Sequence, residues 1–214
     1  MDKIGNYING KQVSGISTEN LPVFNPSTGE VQSQVILSNE EDFNVAVECA
    51  EKSFYEWSKV TPLKRSRILA KYQQLLDKNK EELASIVSRE HGKTLEDAIG
   101  SVTRGIEVVE FASGIPHLLK GDFSQNVGTN IDSWSTRHPL GICSGITPFN
   151  FPAMVPMWMY PISIACGNVF ILKPSEKDPS CALKLAELFT EAGLPDGVFN
   201  VINGDKRTVN RILQ

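Results

Sequence analysis

Paired cysteines, closely spaced histidines and a surplus of positive charge are all missing from this sequence. The four cysteines, Cys49, Cys143, Cys166 and Cys181, form no CxxC step and the three histidines no HxxxH step. A thiolate or imidazole metal site is therefore not expected. Isolated cysteines of this kind are by default reduced thiols, and a cytoplasmic location is the expectation. Lysine and arginine number 21 against 25 acidic residues, for a net charge of -4, so no basic surface is available to hold nucleic acid. The densest basic run, Lys64, Arg65 and Arg67, fits a solvated helix face. Met1 to Asn6 has neither an apolar signal core nor an arginine-rich leader.

Charge is also absent from Gly141 to Leu172, a stretch long enough to span a bilayer. Pro148, Pro152, Pro156 and Pro161 interrupt it, and Asn150 and Asn168 would need polar partners in lipid. A buried strand, helix and second strand account for the same composition, so no membrane association is expected.

The remaining pattern divides the chain. Asn6 to Val13 holds an Asn9-Gly10 turn between short apolar flanks, as a β-hairpin does, and a second turn lies between Val23 and Val31. Ser38 and Glu41 have capping-box spacing ahead of Phe43, Val47, Ala50, Phe54 and Trp57 at helical intervals. Thr61-Pro62 opens another helix, whose face runs through Leu69, Tyr72, Leu76, Leu83 and Val87 to a stop at His91-Gly92. A third helix extends from Leu95 to Ala112. Residues 121–139 have the mixed composition of an extended, half-exposed ribbon. Beyond them, Leu140 to Thr147, Val169 to Leu172 and Val198 to Ile202 are strands, separated by helices over Pro152 to Ala165 and Pro179 to Ala192. Lys206 to Leu213 begins a further helix. The expected class is α/β, a parallel sheet wound by helices with helices and a β-ribbon ahead of it. Residues 1–120 and 140–214 would form one nucleotide-binding domain and 121–139 a separate ribbon.

Such domains bind ligands at the carboxyl ends of their strands. Two loops leave those ends, Thr147 to Pro152 and Lys173 to Lys177. No GxGxxG occurs, so the usual phosphate loop of a Rossmann domain is absent. By residue type alone, Asn150 suits a cap for the helix after it, Lys173 a solvated strand end, and Arg104 a surface ion pair.

The loops carry a resemblance. Pro148-Phe149-Asn150-Phe151-Pro152 is similar to the Pro-x-Asn-Phe-Pro signature of the aldehyde dehydrogenase superfamily. Lys173-Pro174-Ser175-Glu176 is similar to its cofactor loop, and Gly193 to Val201 to the turn and strand that follow. The order and spacing agree, and the similarity runs the whole length of the chain. Met154 to Met159 and Arg104 to Ala112 resemble the methylmalonate-semialdehyde branch in particular.

The resemblance implies a Rossmann-like domain binding NAD and roles for six residues. Asn150 would donate its amide to the oxyanion formed when a cysteine attacks an aldehyde. Lys173 and Glu176 would hold the adenosine ribose, Glu176 disfavouring the 2′-phosphate of NADP, and Phe149 and Lys177 would be neighbouring cofactor contacts. Arg104 would meet the carboxylate of an acidic semialdehyde. The reaction implied is oxidation and decarboxylation of methylmalonate or malonate semialdehyde, with coenzyme A accepting the acyl group, in a homo-oligomer assembled as a tetramer. The family's nucleophilic cysteine and general-base glutamate have no counterpart before Gln214, and the resident cysteines lie in apolar contexts that make thiols inert. The chain by itself is expected to be inactive, its catalytic domain lying outside it. Two other functions fit the same sequence: a hydrolytic dehydrogenase for another semialdehyde, and a nucleotide-binding module without catalysis.

Overall fold

The computed structural model describes residues 2–214. The chain opens with five short strands: β1 (Asp2–Ile4), β2 (Asn6–Ile8), β3 (Lys11–Val13), β4 (Asn20–Phe24) and β5 (Val31–Ile36). Asn9 and Gly10, both at positive φ, make the two-residue turn that joins β2 to β3 in antiparallel register. Strands β4 and β5 pair antiparallel across the Asn25–Glu30 turn, and β1 adds to β5 in parallel.

Five helices follow: α1 (Glu40–Trp57), α2 (Pro62–Lys78), α3 (Lys80–His91), α4 (Leu95–Ser113) and the single turn α5 (Ile115–Leu118). Three local expectations need correction. The capping box of α1 is made by Asn39 and Asp42, which exchange backbone-to-side-chain hydrogen bonds at 3.0 and 3.1 Å, rather than by Ser38 and Glu41. Ser38 is buried and its hydroxyl is bonded to Asn6, so it is not free to cap. The helix expected over residues 62–91 breaks at Asn79. Its side chain donates to the Leu75 carbonyl at 2.7 Å, the local side-chain bond by which asparagine competes with a continuing helix. Arg65, expected on a solvated face, is buried and donates from Nε to the Ala165 carbonyl at 2.9 Å and from Nη1 to the Val60 carbonyl at 2.5 Å. It satisfies carbonyls at two chain bends that lack helical partners.

Strands β6 (Phe123–Gly128) and β7 (Ile131–Trp134) form a two-stranded ribbon apart from the other sheets. The wound core is β8 (Ile142–Ile146), α6 (Met154–Ala165), β9 (Val169–Lys173), α7 (Ser180–Glu191), β10 (Phe199–Val201) and α8 (Lys206–Ile212). Strands β8, β9 and β10 are parallel neighbours. The sheet does not end there, because β2 pairs antiparallel with β10, giving the order β3-β2-β10-β9-β8. Tyr7 of β2 donates to Thr190 Oγ1 at 2.8 Å and the Asn9 amide to Asn200 Oδ1 at 3.1 Å, pinning the hairpin onto the parallel strands.

The apolar Gly141–Leu172 stretch is thus a strand, a helix and a buried strand. No helix among the described residues is long and apolar enough to cross a membrane. Aromatic contacts seat α6 between the sheet and α2. Tyr160 stacks on Phe199 with centroids 4.3 Å apart, and its hydroxyl meets that of Tyr72 at 2.6 Å. On its other side α6 meets α4 at Gly105, where a Cβ would lie 2.2 Å from Met157 Cε. A Cβ there would press on the Met157 side chain, so the glycine lets the two helices pack without displacing it.

Candidate functional site

Ile146 at the end of β8 lies opposite Lys173 at the end of β9, and the Thr147 amide donates to the Lys173 carbonyl at 3.1 Å. The two loops therefore leave adjacent strands side by side, at the sheet edge where an α/β fold opens its binding crevice. Lys173, with a side chain only 5% exposed, donates from Nζ to Glu176 Oε2 at 3.0 Å. Burial by itself would raise the Glu176 carboxyl. Its own backbone N–H, the Lys173 ammonium and Lys177 outweigh that and hold it below the usual carboxylate range. Glu176 is thus an ionised, half-buried acceptor at the mouth of the crevice. Lys177 Nζ sits 4.4 Å from the centroid of the Phe149 ring, a cation–π contact that ties one loop to the other.

Asn150 is exposed at the tip of its loop. The N-cap position of α6 is Ala153, without a side-chain bond, so Asn150 does not cap that helix. Among the described residues its side-chain amide makes no hydrogen bond, and it stands exposed. Its backbone carbonyl accepts from Lys93 Nζ at 3.4 Å. Arg104 is exposed on α4 next to Gly105 and makes no ion pair among the described residues. The structure therefore brings Phe149, Asn150, Lys173, Glu176 and Lys177 together, and puts Arg104 one residue from the contact between α4 and the helix that the Asn150 loop feeds.

Burial pushes the thiols of Cys49, Cys166 and Cys181 up, and Cys143 packs half-buried against the core. No group of three or more metal-ligating side chains occurs among the described residues.

Two features escaped sequence reasoning. One is Lys93, which follows the helix stop at Gly92 and carried no signal beyond that stop. The other is a pair of buried carboxyls beside the Lys173–Lys177 loop. A cleft of about 540 Å³, lined in part by Phe24, Pro26, Phe149 and Glu176, also includes Glu90 and Asp178. Burial, and then the neighbouring Glu90 carboxyl, push Asp178 up to about 8. Burial raises Glu90 as well, against the hydrogen bond its Oε2 accepts from the Ser180 amide at 3.0 Å.

A raised carboxyl stabilises the fold fully only below its unfolded value, about 3.9. That contribution is lost as the pH climbs towards the folded value. Asp178→Asn removes the titration, so the variant should gain on the native chain as pH rises. Urea unfolding of the chain at pH 5 and pH 9 measures this. The gain should be larger at pH 9 by at least ~1.4 kcal/mol, the worth of one pKa unit. Equal gains at both pH values would mean that Asp178 is not held protonated.

With this geometry in hand, known proteins locate the chain. The model of the aldehyde dehydrogenase family matches residues 13–214. Malonate-semialdehyde dehydrogenase of Pseudomonas aeruginosa is 52% identical over the whole chain, which covers 43% of that enzyme. The enzyme of that name from Halalkalibacterium halodurans is 51% identical over the whole chain, covering 44% of it. Among solved structures, a protein assigned as methylmalonate-semialdehyde dehydrogenase from Sinorhizobium meliloti, complexed with NAD, superimposes with a TM-score of 0.98 at 53% identity, over all of this chain and 43% of that one. Methylmalonate-semialdehyde dehydrogenase from Oceanimonas doudoroffii gives a TM-score of 0.96 at 50% identity, over 98% of this chain and 43% of the other. The chain spans a little under half the length of the relatives it matches. Its two crevice loops, its fold and its agreement over residues 13–214 have a common source: the chain belongs to the aldehyde dehydrogenase family.

Proposed function

We propose that this chain is the cofactor-binding, oxyanion-stabilising part of an NAD-dependent dehydrogenase that acts on malonate or methylmalonate semialdehyde. The observation that carries the reading is the Lys173–Glu176 pair, 3.0 Å apart at the carboxyl end of β9 and beside the Asn150 loop. The donor set fits NAD: an ionised carboxylate accepts from both hydroxyls of a ribose, and the adjacent ammonium donates to them. Bound there, NAD supplies the hydride acceptor. The chain's own residues do the rest of the positioning. Glu176 repels a 2′-phosphate, Phe149 and Lys177 close over the crevice, and Asn150 aims an uncharged N–H at the aldehyde oxygen as it gains charge. An amide suits that place better than a lysine, which could add to the aldehyde itself. Arg104 pairs with the substrate carboxylate, for which a guanidinium offers a bidentate match. Coenzyme A accepts the acyl group, with loss of carbon dioxide.

The full-length protein carrying this segment, given malonate semialdehyde, NAD and coenzyme A, should form NADH and acetyl-CoA together. NADH without a thioester would assign the hydrolytic reaction instead, and binding of NAD with no NADH formed would point to a non-catalytic module. Glu176→Gln should relax cofactor choice. Replacing a charge-assisted bond with a neutral one costs ~1 kcal/mol, so NAD should bind about fivefold more weakly and the preference over NADP should fall. Isothermal titration with both cofactors checks this, and an unchanged ratio would remove Glu176 from the ribose site.

A homo-oligomer is part of the same proposal. Phe123, Val127, Ile131 and Trp134 are exposed all along the ribbon, Trp134 to 71%. Apolar ribbons of this kind are covered in solution by a partner strand or surface.

A further inference from the structure

Lys93 is a cation with almost no access to water. Its side chain is 7% exposed, although it lies in the short link between α3 and α4. The link itself is pinned. Gly92 ends α3 in the left-handed region at φ 87°, the Ser88 hydroxyl donates to the Lys93 carbonyl at 2.7 Å, and Thr94 caps α4. From this anchored backbone the ammonium reaches three groups. It lies 3.4 Å from the carboxylate of Asp97, 3.4 Å from the carbonyl oxygen of Asn150 and 4.5 Å from the centroid of the Phe151 ring.

A buried ammonium is costly unless its protons are used. Two of these three partners belong to the tip of the Asn150 loop. The tripeptide Phe149-Asn150-Phe151 is thus gripped by two cations, Lys177 over the first ring and Lys93 at the central carbonyl and the last ring. Holding the Asn150 carbonyl sets the tilt of its peptide. That tilt fixes the Cα–Cβ bond, and with it the set of positions the side-chain amide can reach through its staggered rotamers.

The geometry points to Lys93 as a positioning residue: it orients Asn150 for the oxyanion by holding the Asn150 carbonyl from the α3–α4 link. This rests on the assignment of Asn150 proposed above. Lys93 touches neither cofactor nor substrate in this scheme. It acts through Asn150, and an oxyanion donor must be aimed before the charge develops.

The test is a double-mutant cycle in the full-length enzyme. Lys93→Met keeps the length of the stem and removes the charge. It should lower kcat about tenfold, the worth of a hydrogen bond to a charged group, with NAD affinity unchanged by titration. Lys93→Arg keeps the charge and should retain most of the rate. The deciding measurement is Lys93→Met made in Asn150→Ala, where it should change kcat no further, because the group it aims is gone. A merely structural lysine would give additive losses in the cycle, and those would overturn the proposal. So would full activity in Lys93→Met while Asn150→Ala is impaired. If Asn150→Ala alone keeps normal turnover, the oxyanion assignment itself has failed and the role of Lys93 falls with it. Urea midpoints of the single variants separate misfolding from misalignment. A Lys93→Met enzyme that unfolds early yet turns over normally also counts against the proposal.

Discussion

Asn150→Ala, made in the full-length enzyme, should lower kcat by roughly a hundred- to a thousand-fold, the cost of losing one oxyanion donor, ~2.7–4 kcal/mol. Stability should hardly change. A capping asparagine would cost ~1 kcal/mol on replacement, but the cap position of α6 is Ala153, and the Asn150 side chain stands exposed. NAD affinity should also survive, since the proposed ribose contacts come from the neighbouring loop. The signature is therefore a collapse of kcat with the melting temperature and cofactor titration close to those of the parent. The opposite pattern, near-normal turnover with a lowered melting temperature, would return Asn150 to a structural role.

Arg104→Leu should raise KM for malonate semialdehyde by about ten- to a hundred-fold, the loss of a charge-assisted contact worth ~1.5–3 kcal/mol. Propanal has no carboxylate and should be handled as before. Arg104 is exposed and makes no ion pair among the described residues, so its replacement should shift stability by no more than ~0.5 kcal/mol. Comparing kcat/KM for the two aldehydes isolates the carboxylate from every general effect. Equal damage to both would make Arg104 a residue of the fold or of the access path, not of substrate choice.

Much of this protein is legible in its local sequence. The Asn9-Gly10 turn, the apolar face of α4 and the alternation of strand and helix from Ile142 to Val201 are local signals. Each depends on residues within a few positions of one another, where spacing and backbone preference decide. The two crevice loops were legible for the same reason, because a parallel sheet wound by helices must open at the carboxyl ends of its strands.

Tertiary structure decided what depends on partners far along the chain. The β2–β3 hairpin was visible, but its place in the main sheet comes from Val201 pairing with Tyr7, a match that no local pattern encodes. Ser38 had the spacing of a cap and lost that role to Asn39 because Asn6 claims its hydroxyl. Arg65 had the neighbours of a solvated residue, yet the carbonyls of Val60 and Ala165 draw it inside. Lys93 is the clearest case, a lysine after a helix stop whose ammonium lies against a loop 57 residues away. Local sequence governs conformations because their free energies are set by adjacent dihedral angles. Which buried polar group meets which carbonyl is settled only when distant segments exclude water together, and there the unmet hydrogen bond is too costly to leave.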